Sequence, residues 1–305
     1  MYMSHTPVLL NEILKFMNPQ DNKKYLDCTF GSGSCTKAIL HSAQCKVTAI
    51  DRDPYINKYV QNIQSEFKER FHFINGNFAH IKDLVANNKF DGVVIDLGMS
   101  SMQIDSNNRG FSFSKDSFLD MRMSNQGKTA FEFVNNAKEE ELANIIYQYG
   151  EEVQSKAIAK NIVTMRKTTP IRTTLELAKI IRDSMHYTKT KINPVTKTFQ
   201  AIRIHINDEL LNLKLCLNNL SDVLNSDSKI LIISFHSLED KIVKDFFKAN
   251  AIRNIKKYNI DNPSEYDSGK WLQILTKKPI IATKSEVSAN IRSRSAKLRV
   301  AQTLS

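Results

Sequence analysis

Short apolar runs alternate with helical segments between residues 25 and 96, and this alternation constrains the fold more than any other feature. The predicted strands are Tyr25–Thr29, Lys46–Ile50, Phe71–Ile74 and Gly92–Asp96. The segments Thr36–Ser42 and Pro54–Phe67 between them read as helices. Because parallel strands need crossover connections, this βαβαβ order predicts an α/β fold with a doubly wound, mostly parallel sheet.

The ends of these strands carry residues suited to a nucleoside ligand. Residues 30–36 form a Gly-Ser-Gly turn before a helix, where small residues let the backbone approach a ligand. Asp51 ends the second strand, where a carboxylate can accept hydrogen bonds from ribose hydroxyls, and Asp96 ends the fourth. Asp51 lies close to the dinucleotide-fingerprint spacing from Gly31, so NAD and S-adenosylmethionine are both candidates. Thr36 counts against NAD, because the fingerprint places a third glycine or an alanine there.

Residues 106–211 read as an inserted helical domain that recognises the substrate, and residues 1–105 with 212–305 read as the core. The predicted helices of the insert are Glu139–Tyr149, Ser155–Arg166 and Thr174–Ser184. Apolar positions at helical spacing from Phe199 to Leu224 predict one long helix that returns the chain to the core. Further core strands are predicted at Lys229–Ser234, Leu272–Thr276 and Lys297–Ala301, with a surface loop at Arg253–Trp271.

The net charge of +11 is unevenly distributed along the chain. Residues 1–105 carry 11 basic and 11 acidic side chains, whereas residues 106–305 carry 32 basic and 21 acidic ones. This division predicts that the first third binds a small ligand and that the remainder meets a polyanion such as RNA.

Compartment and metal content follow from what the sequence lacks. No stretch approaches the ~18 apolar residues of a membrane span, and the N-terminus has no signal-peptide pattern. The four cysteines show no paired ligand spacing, and the seven histidines are scattered. We expect a cytoplasmic protein without a metal site or membrane association, and the sequence does not indicate an oligomeric state.

The loop after the fourth strand is rich in charged and aromatic side chains. Asp105 and Asp120 could accept a hydrogen bond from an amine. Arg109 and Arg122 carry guanidinium groups suited to phosphate, although an internal salt-bridge network that ties the two domains together is an equal alternative. Two phenylalanines could stack on RNA bases or pack in the core: Phe111 and Phe113.

Two further groups of side chains are candidates for RNA contact. His236 follows the fifth predicted strand, and Ser237 with Asp240 predicts a helix start directly after it. A basic strip near the C-terminus could bind phosphate or guard an edge strand with charge. Its members are Arg292, Arg294, Lys297 and Arg299.

Longer stretches resemble the bacterial ribosomal small-subunit RNA cytosine-N4 methyltransferases, the RsmH or MraW family. In chain order they are HTPVLLNEIL, DRDP, DLGMSSMQID, RGFSFSKDSFLDMRMS, YGEE, TFQAIRIHINDEL, SFHSLEDKIVK and RSRSAKLRV. The resemblance implies a Rossmann-like S-adenosylmethionine-dependent methyltransferase core with an inserted helical domain. It implies methyl transfer to N4 of a cytosine in the decoding region of 16S ribosomal RNA.

The same resemblance implies a set of cofactor contacts. They are Gly33, Ser34, Cys35, Asp51, Phe78, Asp96 and Gln103. The family usually has Gly-Gly-His where this chain has Gly33-Ser34-Cys35, so the backbone contacts carry over and a histidine contact does not. The acceptor of the amine proton stays open among Asp96, Asp105 and Asp120. An NAD-dependent oxidoreductase and a non-catalytic RNA-binding protein are the alternative functions.

Overall fold

The chain forms two compact units. The computed structural model describes residues 7–106, 108–185, 193–252 and 269–305. The first unit is built from residues 7–98 and 210–305, and the second from Met99–Glu209. In these described ranges, no helix is both long enough and apolar enough to cross a membrane.

One sheet forms the centre of the first unit. Its strands are β1 Lys24–Asp27, β2 Lys46–Asp51, β3 Phe71–Asn75, β4 Phe90–Asp96, β5 Leu224–Ser234, β6 Leu272–Ile274, β7 Ile280–Ile281 and β8 Lys297–Thr303. The strand order is β3-β2-β1-β4-β5-β8-β6, with β7 also paired to β8. Strands β1 to β5 run parallel, and β8 is antiparallel to its neighbours. The predicted doubly wound, mostly parallel sheet is therefore confirmed.

Helices cover the sheet and build the second unit. Within the described residues the α-helices are α1 Leu10–Met17, α2 Ser34–Ser42, α3 Asn57–Phe67, α4 Ile81–Val85, α5 Ser101–Asp105, α6 Ala130–Asn136, α7 Glu139–Gly150, α8 Ser155–Arg166, α9 Thr174–Asp183, α10 Pro194–Ile206, α11 Glu209–Asn218, α12 Leu220–Val223, α13 Ser237–Asn250 and α14 Lys284–Ala289. Each unit has its own apolar core, and the core of the second consists of side chains from α6 to α10 and the loop before α6.

The predicted single helix from Phe199 to Leu224 is wrong. Helix α10 ends at Ile206, Asp208 adopts a left-handed φ of 50°, and α11 begins at Glu209. Apolar spacing continues across the break, so periodicity alone could not reveal it. The predicted surface loop at Arg253–Trp271 falls mainly on residues 253–268, which lie outside the described residues.

The break after α10 is organised by the buried side chain of Asn207. Its Oδ1 accepts a hydrogen bond from Met123 N at 2.7 Å, and its Nδ2 donates to Met121 O at 2.7 Å and to Arg203 O at 2.9 Å. Met121 has a left-handed φ of 58°. A side chain that binds backbone groups competes with helix continuation, so Asn207 both ends α10 and holds the loop in place.

Asn207→Ala should destabilise the protein by about 2–4 kcal/mol, because the buried N–H of Met123 and the carbonyl of Met121 both lose their partner. Urea unfolding monitored by circular dichroism measures this difference. The control is Asn136→Ala, because Asn136 is exposed and donates only to Glu132 O among its recorded bonds. Equal unfolding midpoints for the two variants would contradict the assigned role of Asn207.

Candidate active site at the carboxyl edge of the sheet

Three carboxylates lie on neighbouring strands at the carboxyl edge of the sheet. Asp51 ends β2, Asp27 ends β1 and Asp96 ends β4, and these strands follow one another in the sheet. Parallel strands bring their carboxyl ends to one edge, which is where open α/β sheets bind ligands. The sequence prediction misses Asp27, because it extends the first strand to Thr29. The signal is nevertheless present, since an acid directly after an apolar run also marks Asp51 and Asp96.

The glycine turn brings backbone close to this edge. Gly33 caps α2 with a left-handed φ of 76°, and Ser34 is the first residue of the helix. A Cβ atom at Gly33 would collide with Ile63 Cδ1 and with the ring of Phe30. Only glycine suits this position, because it adopts the left-handed conformation and leaves the space free. Burial and the nearby acids hold the pKa of Cys35 well above its usual range, so its thiol stays neutral.

Asp51 is held by backbone groups on both sides. Its Oδ2 accepts a hydrogen bond from Gly31 N at 2.7 Å, and its Oδ1 accepts one from Asp53 N at 2.9 Å. Burial raises the pKa of this carboxyl, and these two bonds oppose that rise. The carboxylate is thus fixed in direction, and each oxygen can still accept a bond from a ligand hydroxyl.

Asp27 lies fully inside the protein beside the start of α2. Thr36 Oγ1 donates to its Oδ2 at 2.7 Å, and Thr29 N donates to its Oδ1 at 3.1 Å. Burial raises the pKa of Asp27 to about 6 despite these bonds. Thr36 occupies the position where a dinucleotide fingerprint has glycine or alanine. Its hydroxyl donates its hydrogen bond to the Asp27 carboxylate.

Asp96 is the least compensated of the three acids. Its Oδ1 is buried and has no hydrogen-bond partner among the described residues. Burial raises its pKa to about 8, and the negative charges of Asp27 and Glu239 add to the effect. An orphaned buried oxygen in an acidic surrounding is suited to a ligand that brings a hydrogen-bond donor or a positive charge.

Glu239, which the sequence prediction also misses, is buried beside the start of α13. His236 is the cap of that helix: its Nδ1 accepts from Glu239 N at 3.4 Å, and Glu239 Oε2 accepts from Phe235 N at 2.8 Å. The expected capping by Ser237 is therefore wrong by one residue. Asp240, the expected partner in that helix start, binds Arg299 instead. His236 therefore caps α13, and the RNA contact predicted for it stays a prediction.

Phe78 begins a short 3-10 helix after β3. Its ring is half-buried and packs against the core of the first unit. Gln103 lies in α5 of the second unit, where its Oε1 accepts from Ser100 N at 3.0 Å and closes a capping box. The cofactor contacts predicted for these two residues stay predictions.

The charged residues of the loop before α6 bind one another and the loop backbone. Arg122 Nε and Nη2 donate to the two oxygens of Asp120 at 2.7 and 2.9 Å. Arg109 Nη2 donates to the carbonyls of Arg122 and Met123 at 2.9 and 3.1 Å. Asp105 is the exposed last residue of α5. These contacts of Asp120, Arg109 and Arg122 all lie within the second unit, and the predicted roles of the three residues stay predictions.

The basic strip is divided between two elements. Arg292 and Arg294 lie in a 3-10 helix, so only Lys297 and Arg299 share a strand face. Arg299 is buried and donates to both oxygens of Asp240, at 2.7 and 3.2 Å, while Lys297 Nζ lies 3.3 Å from the same carboxylate. Two of the four cations therefore share the single negative charge of Asp240 in α13.

The raised pKa of Asp96 predicts how stability depends on pH. Below pH ~4 the group is protonated in the folded and the unfolded chain. As pH rises from ~4 towards 8, the unfolded chain loses this proton and the folded chain keeps it, so stability falls and then levels off. The stability difference between Asp96→Asn and the wild type should grow by up to about 1.4 kcal/mol per pH unit between pH 6 and 8.

Thermal melting of both proteins across this pH range measures that difference. Asp21→Asn provides the control, because Asp21 is an exposed carboxylate of the same unit. Melting curves of Asp96→Asn and the wild type that stay parallel from pH 6 to 8 would contradict a neutral, buried Asp96.

Comparison with known proteins identifies one family. A family model described as the MraW methylase family matches residues 2–304. A protein of Rickettsia canadensis (strain McKiel) named Ribosomal RNA small subunit methyltransferase H is 53% identical, with 100% of this chain and 99% of that protein covered. A protein of the same name from Rickettsia massiliae (strain Mtu5) is 52% identical with the same coverage.

Two solved structures that match this chain have low sequence identity to it and TM-scores below 0.5. An rRNA methylase from Streptococcus thermophilus is 8% identical, with a TM-score of 0.43 over 99% of this chain and 100% of that one. The N-methyltransferase NodS from Bradyrhizobium japonicum WM9 is 6% identical, with a TM-score of 0.42 over 97% and 94% of the two chains.

Proposed function

Because the chain belongs to the MraW methylase family, we propose that it is an S-adenosylmethionine-dependent methyltransferase acting on the ribosomal RNA of the small subunit. Its relatives at about half sequence identity carry the name of that activity over their whole length. The observation in the site that carries the proposal is the row of acids at the ends of β2, β1 and β4. A ribosomal substrate also implies a cytoplasmic location.

The residues at the carboxyl edge fit S-adenosylmethionine. Asp51 keeps acceptor capacity for two ribose hydroxyls, because each oxygen holds a single recorded backbone N–H. The orphaned Oδ1 of Asp96 and the surrounding acids suit a cationic ligand. Gly33 lets the backbone approach closely, beside Ser34 and Cys35. When bound, the cofactor supplies a methyl group on a positively charged sulfonium, with a neutral thioether as leaving group.

The same acids count against NAD. A pyrophosphate brings negative charge to the turn before α2, where Asp51 already raises the pKa of Asp27 and Asp27 that of Asp96. Thr36 also fills the position where the fingerprint has its third small residue, and its hydroxyl donates to Asp27. The oxidoreductase alternative therefore has no support in the site.

We assign the transferred methyl group to N4 of a cytosine in 16S ribosomal RNA. The lone pair of this amine is conjugated into the ring, so a hydrogen-bond acceptor on the amine would help it react and later lose a proton. Asp96 can serve only after ionisation, because burial raises its pKa to about 8. Asp120 has its charge balanced by Arg122, and Asp105 is the third candidate.

The second unit is the proposed substrate-recognition domain. This unit contains Arg109 and Arg122, the two loop residues that the sequence predicts to contact RNA. His236 and the basic strip belong to the first unit, and of the strip Arg294 is exposed. These RNA contacts stay predictions, and they imply the small ribosomal subunit or its RNA as partner.

The purified protein should transfer one methyl group from S-adenosylmethionine to small-subunit RNA. Isotope-labelled cofactor, RNA digestion and mass spectrometry of nucleosides would identify the product as N4-methylcytidine. Transfer to large-subunit RNA serves as the control and should be absent. Transfer to another atom or base would contradict the cytosine-N4 assignment, and no transfer to any small-subunit substrate would contradict the function.

Asp51→Asn should weaken S-adenosylmethionine binding by roughly 1.5–3 kcal/mol, because a charge-assisted acceptor for the ribose is lost. Isothermal calorimetry measures this change without turnover. Asp21→Asn, an exposed change in the same unit, should leave the affinity within error of the wild type. An unchanged affinity in Asp51→Asn would remove Asp51 from the cofactor site.

A further inference from the structure

We propose that the exposed ring of Phe118, braced by Phe131 and Arg172, is a stacking surface for an unpaired base of the RNA substrate. We call these three residues the Phe118 platform. The proposal rests on the proposed function, and it assigns a recognition residue that differs from Phe111 and Phe113. Phe111 is buried in the core of the second unit, and Phe113 packs with its ring 5.1 Å from that of Phe199.

The Phe118 platform combines an aromatic pair with a cation. Phe118 is 46% exposed, and its ring centroid lies 5.4 Å from that of Phe131 at an interplanar angle of 36°. The guanidinium carbon of Arg172 lies 6.0 Å from the centroid of the Phe131 ring. Arg172 is exposed as well, and its cation lies against Phe131, the ring that packs against Phe118.

The backbone under Phe118 is held on both sides. Phe118 forms an isolated antiparallel bridge with Thr173, and Leu119 N donates to Arg172 O at 3.0 Å. Phe131 N donates to Leu119 O at 2.7 Å, which connects the backbone of Phe131 to the residue after Phe118. Because these bonds limit backbone motion, little conformational entropy is left to lose when the ring meets a ligand.

The exposure of Phe118 is not required by the local fold. The next residue, Leu119, is fully buried, so the bridge presents alternate side chains to solvent and a polar residue would suit position 118. Gly110 lies against the carbonyl of Phe118, and any Cβ there would collide with it. This close approach fixes the backbone at Phe118, while its apolar ring stays 46% exposed.

The chemistry of the platform matches an unpaired base better than an apolar partner. Every base offers a π face, and stacking on protein aromatics is the common way to hold splayed RNA bases. The cation of Arg172 complements the phosphates that accompany such a base, whereas a purely apolar protein partner would leave that charge desolvated. The proposed occupant is thus a single-stranded segment of the RNA.

The test measures RNA binding by fluorescence anisotropy, with a single-stranded oligonucleotide from small-subunit RNA that carries 2-aminopurine. Phe118→Ala should weaken binding about 5- to 150-fold, the contribution of one stacked base. Phe118→Trp should retain binding and quench 2-aminopurine. Phe118→Leu keeps the apolar area without an aromatic face, so its binding should be as weak as that of Phe118→Ala. Arg172→Gln should lower the salt slope by about 0.7. All variants should keep the melting temperature and the affinity for S-adenosylmethionine.

Tyr147→Ala is the matched control, because Tyr147 is a 60% exposed aromatic on α7 of the same unit. Unchanged oligonucleotide binding in Phe118→Ala would overturn the proposal, and so would full binding by Phe118→Leu. If Phe118→Ala lost binding only to intact small subunits, the platform would dock a ribosomal protein and the RNA assignment would be wrong. Failure of the wild type to transfer methyl groups would instead contradict the proposed function, since anisotropy reads binding without turnover.

Discussion

The first unit depends on holding several acids close together at one edge of its sheet, where Asp27 is buried and Asp51 and Asp96 are partly buried. The parallel topology places Asp51, Asp27 and Asp96 on adjacent strand ends, and Glu239 at the start of α13 adds a fourth carboxylate to their field. Backbone and hydroxyl donors compensate Asp51 and Asp27 in part. Asp96 lacks such compensation among the described residues, so the edge carries an electrostatic cost that a cationic ligand would relieve.

Hydrogen bonds hold the long loop of the second unit in place. Asn207 donates to Met121 O and accepts from Met123 N, and Arg122, the residue between them, forms an ion pair with Asp120. These contacts hold a long irregular segment in one conformation without regular secondary structure. A loop fixed in this way can present side chains at defined positions, which RNA recognition by stacking requires.

The sequence predicts the parts of this structure that depend on local pattern. Apolar runs located the strands, and an acid directly after a run identified Asp51 and Asp96. Prediction failed where one polar side chain competes with periodicity: Asn207 interrupts an apolar stripe that continues from α10 into α11. It also failed for Asp27, because the strand end was placed two residues too late and the acid was read as part of the strand.

The sequence does not reveal which charged side chains form ion pairs with one another. Arg299 and Arg122 looked like free cations for phosphate, yet each is bound to a carboxylate that lies 59 or two residues away along the chain. A charged residue near a site therefore says little about its role until its partners are known. Groups whose environment in the folded chain is unfavourable are more informative. Examples are the buried Oδ1 of Asp96, which has no hydrogen-bond partner among the described residues, and the half-exposed apolar ring of Phe118. Because a buried polar atom without a partner is costly, a ligand that supplies a donor to Asp96 Oδ1 would relieve that cost.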